Sequence, residues 1–302
     1  MWTMGAGNWI KYGWGTSMNE KWVPGMQLNM DLSNRPTEND CPHPTDAAIA
    51  AVHRIAKEYP APYTLMCSGG LDSQTMLLSW HMSGVPFNVV SIQYKSSGMF
   101  FNDYDLVELG LLSEILHIKV DYREFDLLTF LDSELPDVAK LNDCDSPQIC
   151  TMLKAAELIK EGTILFSGNY LGVFARVNYT LLGAHRYAMR TETTNRKVIP
   201  FFLLHDPTFT TSFAAFGGKR ETLARVYVDS GFPVVLPEKK FTGFEKIKEY
   251  FDKYHDDIPP MIRLRYSCKP SVRAFDILYR HPYQGVLAEY RDFVSVNQIL
   301  ER

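Results

Sequence analysis

The sequence predicts a doubly wound α/β fold, in which helices flank a mostly parallel sheet. Strand-like and helix-like segments alternate from about residue 61 to about residue 170. With 302 residues, the chain is long enough to bury a substantial core. It has no uninterrupted run of the roughly 18 apolar residues that a membrane-spanning helix needs. These observations favour a globular protein built around one α/β domain.

The composition narrows the classes of function. The net charge of −4, from 31 basic and 35 acidic residues, provides no general attraction for nucleic acid. A nucleic-acid partner is therefore not favoured, although a local basic cluster leaves it open. The cysteines are widely spaced, form no C-x-x-C pair, and are Cys41, Cys67, Cys144, Cys150 and Cys268. Reduced thiols, together with a start that lacks a signal-like pattern, predict a cytoplasmic protein with no membrane association.

Three regions are predicted along the chain. Residues 1–43 are rich in Gly, Asn, Pro and Trp, and the alternating stretch "MQLNMDL" predicts a small β element in this N-terminal extension. Residues 44–205 are expected to form the α/β domain, and residues 206–302 a mainly helical C-terminal substrate region. The α/β domain begins with a helix that is capped by Thr45 and ends before Pro60.

The next segments predict two strand–helix units. "YTLMCS" (63–68) is a buried strand, "DSQTMLLSWHMSG" (72–84) a helix that ends at Gly84, and "FNVVSIQY" (87–94) a second strand. "DYDLVELGLLSEI" (103–115) is predicted to be helical, and "LHIKVDY" (116–122) a third strand. Strands joined in this way pair in parallel.

The remaining signals complete the predicted sheet. "SPQICTMLKAAELIKEG" (146–162) predicts a helix that Ser146 caps and Gly162 ends. "TILFSGN" (163–169) is the following strand, with small residues at its end, and "KVIPFFLL" (197–204) is one more strand. Helices are expected at about 219–230, 243–255, 270–280 and 284–299.

The segment "SGGLDS" (residues 68–73) carries more polar groups than a turn requires. It follows the first buried strand and precedes a helix, which is where open parallel sheets bind ligands. Gly69 and Gly70 lack Cβ atoms, so that backbone N–H groups can approach phosphate oxygens, and Ser68 and Ser73 can donate hydroxyl hydrogen bonds. A carboxylate at position 72 fits this setting if a divalent cation accompanies the phosphate.

The SGGLDS segment resembles the S-G-G-x-D-S pyrophosphate loop of the PP-loop ATP pyrophosphatase superfamily, whose members have a HUP-like α/β fold. The resemblance covers about residues 61–175. It implies ATP and Mg2+ as cofactors, Asp72 as the metal ligand, and the second strand and the later small-residue turn as further contacts to the nucleotide. The nucleotide-binding residues that it implies are Ser68, Gly69, Gly70, Leu71, Asp72, Ser73, Ile92, Gln93, Gly168 and Asn169.

The resemblance implies catalysis by positioning, with Ser68, Asp72 and Ser73 at the phosphates. Cations are also needed to stabilise the charge that develops on the pyrophosphate. The candidates in the sequence are Arg176, Lys239, Lys240, Arg263, Arg265, Lys269 and Arg273, of which Lys240 and Arg265 are selected. The metal depends on Asp72 alone unless a further acid, such as Asp121 or Asp145, approaches it.

Members of this superfamily adenylate a substrate and release pyrophosphate. The expected function is therefore an AMP-forming ligase or synthetase that activates a substrate oxygen of a small molecule for amide or C–N bond formation. Two alternatives stay open. One is sulfur transfer of the tRNA-thiolation type through Cys150, which lies near a helix start, and the other is a non-catalytic nucleotide-binding module. A homodimer is compatible with the sequence but is not encoded by any pattern in it.

Overall fold

The computed structural model describes residues 3–4, 10–14, 26–30, 40–96, 98–142, 147–167, 196–210, 212 and 232–233. The predicted β element at the N-terminus is confirmed as an antiparallel sheet of β1 (Thr3–Met4), β2 (Ile10–Trp14) and β3 (Met26–Met30). In this sheet Ile10 pairs with Met30 and Trp14 with Met26.

The α/β region contains the alternating elements that the sequence predicts, together with elements at residues 99–100 and 127–142 that were not predicted. In chain order they are α1 (Pro44–Glu58), β4 (Tyr63–Met66), α2 (Leu71–Ser83), β5 (Asn88–Ser96), β6 (Met99–Phe100), α3 (Asp103–Ile115), β7 (Val120–Asp126), α4 (Leu127–Thr129), a π-helical turn (Phe130–Glu134), α5 (Leu135–Asn142), α6 (Pro147–Ala156), β8 (Gly162–Phe166), β9 (Arg196–Ile199) and a 3-10 turn (Phe202–Leu204).

Five of these strands form a parallel sheet in the order β7-β5-β4-β8-β9, and β6 pairs antiparallel with the end of β5. The chain builds the sheet outward from β4 in one direction through β5 and β7, and then in the other direction through β8 and β9. The strand order therefore reverses between β4 and β8, which is the position where open α/β sheets bind ligands. The predicted α/β fold with a parallel sheet is confirmed.

Most of α2 is buried in the core. Every residue from position 73 to position 80 is buried, including the ring of Trp80. Apolar residues of α1 and α2 pack into one cluster with β4 and β5, and the members on α1 are Ala47, Ala48, Ala51, Val52 and Ile55. The burial of these small side chains lets α1 pack closely on α2, and both ends of the SGGLDS segment are thereby held in the core.

The end of α3 corrects the predicted third strand. The Ile118 amide donates to the Ser113 carbonyl at 2.9 Å and the His117 amide to the Glu114 carbonyl at 3.2 Å, with His117 at a φ of 55°. This is a Schellman helix end, with a histidine in the left-handed position that glycine usually takes. Residues 116–118 therefore finish the helix, and the strand runs over Val120–Asp126 instead of 116–122.

The predicted end of the helix at 146–162 is also wrong. The helix α6 ends at Ala156, and Gly162 is the first residue of β8. Gly162 has a φ of +78°, and a Cβ atom there would lie 2.1 Å from the carbonyl oxygen of Pro62. The glycine is thus required by the close approach of two backbones at the start of paired strands, and it does not end a helix. The predicted cap Ser146 lies outside the described residues.

Two smaller predictions are corrected as well. Pro44 opens α1, and His43 caps it by accepting a hydrogen bond from the Thr45 amide at 3.4 Å, so Thr45 is not the cap. The last predicted strand is confined to Arg196–Ile199, because residues from Phe202 form a 3-10 turn. The predicted helices beyond residue 218 lie outside the described residues. Among the described helices, none has the length and apolarity needed to cross a bilayer.

An ion pair joins α1 to the segment after β9. The Arg54 guanidinium contacts the Asp206 carboxylate, and the neighbouring His205 ring packs edge-on against the Tyr59 ring at 5.6 Å. Burial lowers the pKa of His205 to about 4, and the positive charge of Arg54 acts in the same direction, against the opposing effect of Asp206. The neutral histidine is therefore the form that the folded protein accommodates.

We expect Gly162→Ala to destabilise the fold by more than about 2 kcal/mol, because its Cβ meets the Pro62 backbone and its positive φ is unfavourable for alanine. The matched control is Gly110→Ala in α3, where a Cβ meets nothing within 4 Å and helix propensity predicts a gain of about 0.5–1 kcal/mol. Urea unfolding measures both variants. Equal stability of the two variants would contradict the assigned role of Gly162.

We expect the stability of the protein to fall as the pH drops from 6.5 towards 4, because the unfolded chain binds a proton at His205 that the folded protein excludes. This contribution is fully present above pH 6.5 and amounts to at most about 3 kcal/mol. Unfolding curves between pH 4 and pH 7 measure it. His205→Gln should flatten this slope relative to the matched variant His53→Gln, which replaces an exposed histidine of α1.

Candidate functional site

The SGGLDS segment lies where the order of the strands reverses. β4 ends at Met66, residues 67–70 form the connection, and α2 begins at Leu71. Met66 is level with Phe166, the last residue of β8, and with Val90 near the amino end of β5, so the connection emerges at the carboxyl ends of β4 and β8, beside the middle of β5. The structure therefore presents residues 68–73 at the edge of the sheet that the sequence predicts for them.

Three serine hydroxyls meet at this edge, and we call Ser68, Ser73 and Ser167 the hydroxyl cluster. The Ser73 Oγ lies 3.1 Å from the Ser68 Oγ and 3.3 Å from the Ser167 Oγ, and it accepts a hydrogen bond from the Ser68 amide at 3.1 Å. The Gly70 amide donates to the Ser68 Oγ at 3.3 Å. Hydroxyls and amides that converge in this way can donate together to the oxygens of one anion.

Ser167 is a site residue that the sequence analysis missed. It follows β8 directly, and its carbonyl accepts a hydrogen bond from the Leu203 amide at 3.2 Å, which fixes the end of the strand against the 3-10 turn. The available signal was the run of small residues after "TILF", which pointed to Gly168 and Asn169. Both of those residues lie outside the described part of the chain.

Among the described residues, packing does not require a glycine at position 70. Gly70 has φ −63° and ψ 154°, a conformation open to any residue, and a Cβ there would only touch the Ser68 Oγ at 3.5 Å. Gly70 caps α2 without a side-chain hydrogen bond, although Ser, Asp and Asn are better caps. The absence of a side chain leaves the backbone at this position open to close approach by another group.

Asp72 lies in the first turn of α2 and is half-buried. A carboxylate is favourable there because of the positive end of the helix dipole, and Asp72 also interacts with other groups of the fold. Within the described residues, no group of three His, Cys, Asp or Glu side chains forms a metal cage. One carboxylate beside a phosphate site nevertheless fits Mg2+, which commonly binds through one or two carboxylates and the phosphates of its ligand.

The proposed second acid is not at the loop. Asp121 pairs with Arg123 at 2.8 Å and lines a cleft of about 1070 Å³ to which no residue of the SGGLDS segment contributes. In the predicted strand 116–122 Asp121 lies near the carboxyl end, whereas in the structure it is the second residue of β7 and lies near the amino end. Asp145 lies outside the described residues.

The middle of β5, which contains the proposed nucleotide contacts Ile92 and Gln93, runs beside the connection after β4. The Ser91 Oγ donates to the Cys67 carbonyl at 2.7 Å, which joins β5 to the connection, and the two predicted residues follow directly. The Ile92 side chain is 7% exposed. The Asn102 side chain makes two hydrogen bonds to β5: its Nδ2 donates to the Ile92 carbonyl at 2.7 Å, and its Oδ1 accepts from the Tyr94 backbone amide at 2.8 Å. These two backbone groups of β5 are therefore already hydrogen-bonded, so a nucleotide base lying here would contact side chains.

The predicted cationic groups are not placed by the structure. Arg176, Lys240 and Arg265 lie outside the described residues, as do the other candidates, Lys239, Arg263, Lys269 and Arg273. The groups that contact the hydroxyl cluster within the described residues are neutral.

The cysteine of the alternative hypothesis is deeply buried. The side chain of Cys150 is 0% exposed in α6, beside the fully buried Leu153. Cys67 is also buried, and burial raises the pKa of its thiol well above the ordinary value. Neither thiol has the exposure that a nucleophilic cysteine needs.

Comparison of the sequence with protein-family models and with curated proteins finds no match. The SGGLDS segment and the groups that the fold brings to it are therefore the features of this protein that indicate its function.

We expect Cys67 and Cys150 to resist alkylation in the native protein, roughly 100-fold relative to the partly exposed Cys41, because a buried thiol reacts only after local opening. Treatment with iodoacetamide, followed by peptide mass spectrometry with and without urea, measures the three sites. Rapid native modification of Cys150 at a rate equal to that of Cys41 would contradict the burial of this thiol.

Proposed function

We propose that this protein is an ATP pyrophosphatase of the PP-loop type, with a HUP-like α/β domain. It adenylates an oxygen of a small-molecule substrate and prepares that substrate for amide or C–N bond formation. The observation that carries this proposal is the convergence of the two glycine residues, the hydroxyl cluster and Asp72 at the strand-order reversal, where a pyrophosphate can be bound.

The chemistry needs positioning more than it needs a protein nucleophile. The substrate oxygen attacks the α-phosphorus of ATP, the bond from the α-phosphorus to the oxygen that bridges to the β-phosphate breaks, and that oxygen leaves with pyrophosphate. The Gly70 amide and the Ser68 and Ser73 hydroxyls would hold the leaving pyrophosphate in line. Asp72 would hold Mg2+, which supplies positive charge to the phosphate oxygens.

Ser167 suits the same role from the neighbouring strand. Its hydroxyl lies 3.3 Å from that of Ser73, so that a phosphate bound at the loop is also within the reach of β8. The segment after β8 contains Gly168 and Asn169, which remain proposed nucleotide contacts, as do Ile92 and Gln93 on β5. Lys240 and Arg265 remain the proposed cations.

The burial of Cys150 disfavours sulfur transfer as the reaction. A non-catalytic nucleotide-binding module is disfavoured by Asp72, because a domain that only holds adenosine needs no carboxylate beside its phosphate loop. The loop thus favours turnover over simple binding.

We expect the purified protein to release AMP and pyrophosphate from ATP and Mg2+ when a panel of carboxylate and amide substrates is screened by chromatography. Asp72→Asn should lower this activity by roughly 100-fold or more, because it weakens metal binding at the phosphates. Ser68→Ala should lower it by roughly tenfold through the loss of one hydrogen-bond donor.

The matched control is Ser83→Ala, which removes a half-buried serine at the opposite end of α2. It should retain wild-type activity. Formation of ADP and phosphate would sink the proposal, and so would full activity in Asp72→Asn. Nucleotide binding without turnover across the panel would favour the binding module, and loss of turnover in Cys150→Ser at unchanged stability would restore the sulfur-transfer alternative.

A further inference from the structure

Gln74 is a buried amide at the base of the SGGLDS segment. Its side chain is 0% exposed, and its Nε2 donates to the Gly69 carbonyl at 2.8 Å. Its backbone amide donates to the Gly70 carbonyl at 3.0 Å. One residue therefore holds the carbonyl groups of both glycines.

The direction of these two carbonyls determines the direction of the next two amides. In a trans peptide the C=O and the following N–H point to opposite sides. Since both carbonyls point towards Gln74, the amides of Gly70 and Leu71 point away from it. The Gly70 amide indeed faces the Ser68 Oγ, which belongs to the hydroxyl cluster. The donors that an anion needs are thus turned towards the cluster by the contacts of Gln74.

Without this contact, the orientation of the Gly69–Gly70 peptide would depend on the longer hydrogen bond from the Gly70 amide to the Ser68 Oγ, at 3.3 Å. The peptide between two glycines lacks Cβ atoms on either side, so it can rotate at low cost. After such a rotation, the Gly69 carbonyl would face the anion, and the Gly70 amide would face the donor group of Gln74. The buried Nε2 makes that arrangement unfavourable, because two donors would then be opposed and unsatisfied.

We infer that Gln74 is a positioning residue for anion binding, which selects the orientation of the Gly69–Gly70 peptide that binds pyrophosphate. This inference rests on the proposed function, and it adds a residue outside the SGGLDS motif itself. The side chain does not contact the ligand, since it lies on the opposite side of the peptide that it holds.

The test compares two replacements of similar size, Gln74→Glu and Gln74→Met. Glutamate presents an acceptor to the Gly69 carbonyl and should weaken the binding of Mg2+-pyrophosphate by more than roughly tenfold, whereas methionine only removes the donor and should weaken it by roughly tenfold. Isothermal titration with pyrophosphate and with ATP, each with Mg2+, measures the affinity, and thermal unfolding measures the stability of each variant.

The matched control is Ser79→Ala, which deletes another buried polar group of α2, whose Oγ donates to the Thr75 carbonyl at 2.7 Å. It should lose stability without losing affinity. Gln74 variants that are folded and bind pyrophosphate as tightly as the wild type would overturn the inference alone. A wild-type protein that binds neither pyrophosphate nor ATP would overturn the proposed function as well.

A measurement on the wild type keeps the inference testable if the variants do not fold. In protein labelled with 15N at glycine and glutamine, pyrophosphate with Mg2+ should shift the Gly70 amide proton downfield and leave the Gln74 side-chain NH2 resonances in place. A Gly70 amide that does not respond, or a Gln74 side chain whose NH2 shifts as strongly, would show that the peptide is not held in the binding orientation.

Discussion

The parallel pairing of β4 with β8 determines where the polar groups of this protein meet. Its register is set at the amino ends of the two strands, where the Thr163 amide donates to the Pro62 carbonyl at 2.8 Å and Gly162 admits the close backbone contact. From that point Tyr63 pairs with Thr163 and Met66 with Phe166. Ser167 is consequently level with the start of the loop. A slip of one residue would turn its side chain to the other face and separate it from Ser73.

The polar residues of α2 are explained by the loop that precedes it. A helix buried on all sides would be expected to be apolar, yet the buried turn of α2 next to the loop contains Ser73 and Gln74. Both form hydrogen bonds to the loop, Ser73 with the Ser68 amide and Gln74 with the Gly69 carbonyl. Since a buried polar group without a partner is costly, these contacts favour one loop conformation strongly over the others. The polar groups of the supporting helix therefore hold the loop in this conformation.

The sequence predicted the sheet well because β4, β5 and β8 are apolar runs between clear helix signals. The errors arose at residues whose local sequence pattern indicates one structure while their tertiary contacts favour another. The Val120–Asp126 strand is half polar and pairs on a sheet edge, and His117 occupies a left-handed position that glycine usually marks. The loop itself was predictable from its unusual glycines and serines. Ser167 and Gln74 were not, because their roles depend on a neighbouring strand and on a buried contact that no local pattern encodes.

The electrostatics of the loop bear on what it can bind. In the described part of the chain, the donors around the hydroxyl cluster are neutral amides and hydroxyls, and the formal charge that the SGGLDS segment itself contributes is the negative charge of Asp72. A free polyphosphate would be repelled by that carboxylate, whereas its complex with a divalent cation would be attracted to it. Neutral donors can still bind an anion well when they are fixed in advance, since no reorganisation is then needed on binding. Under the proposed function, Asp72 would therefore favour a metal-bound phosphate chain over the free anion.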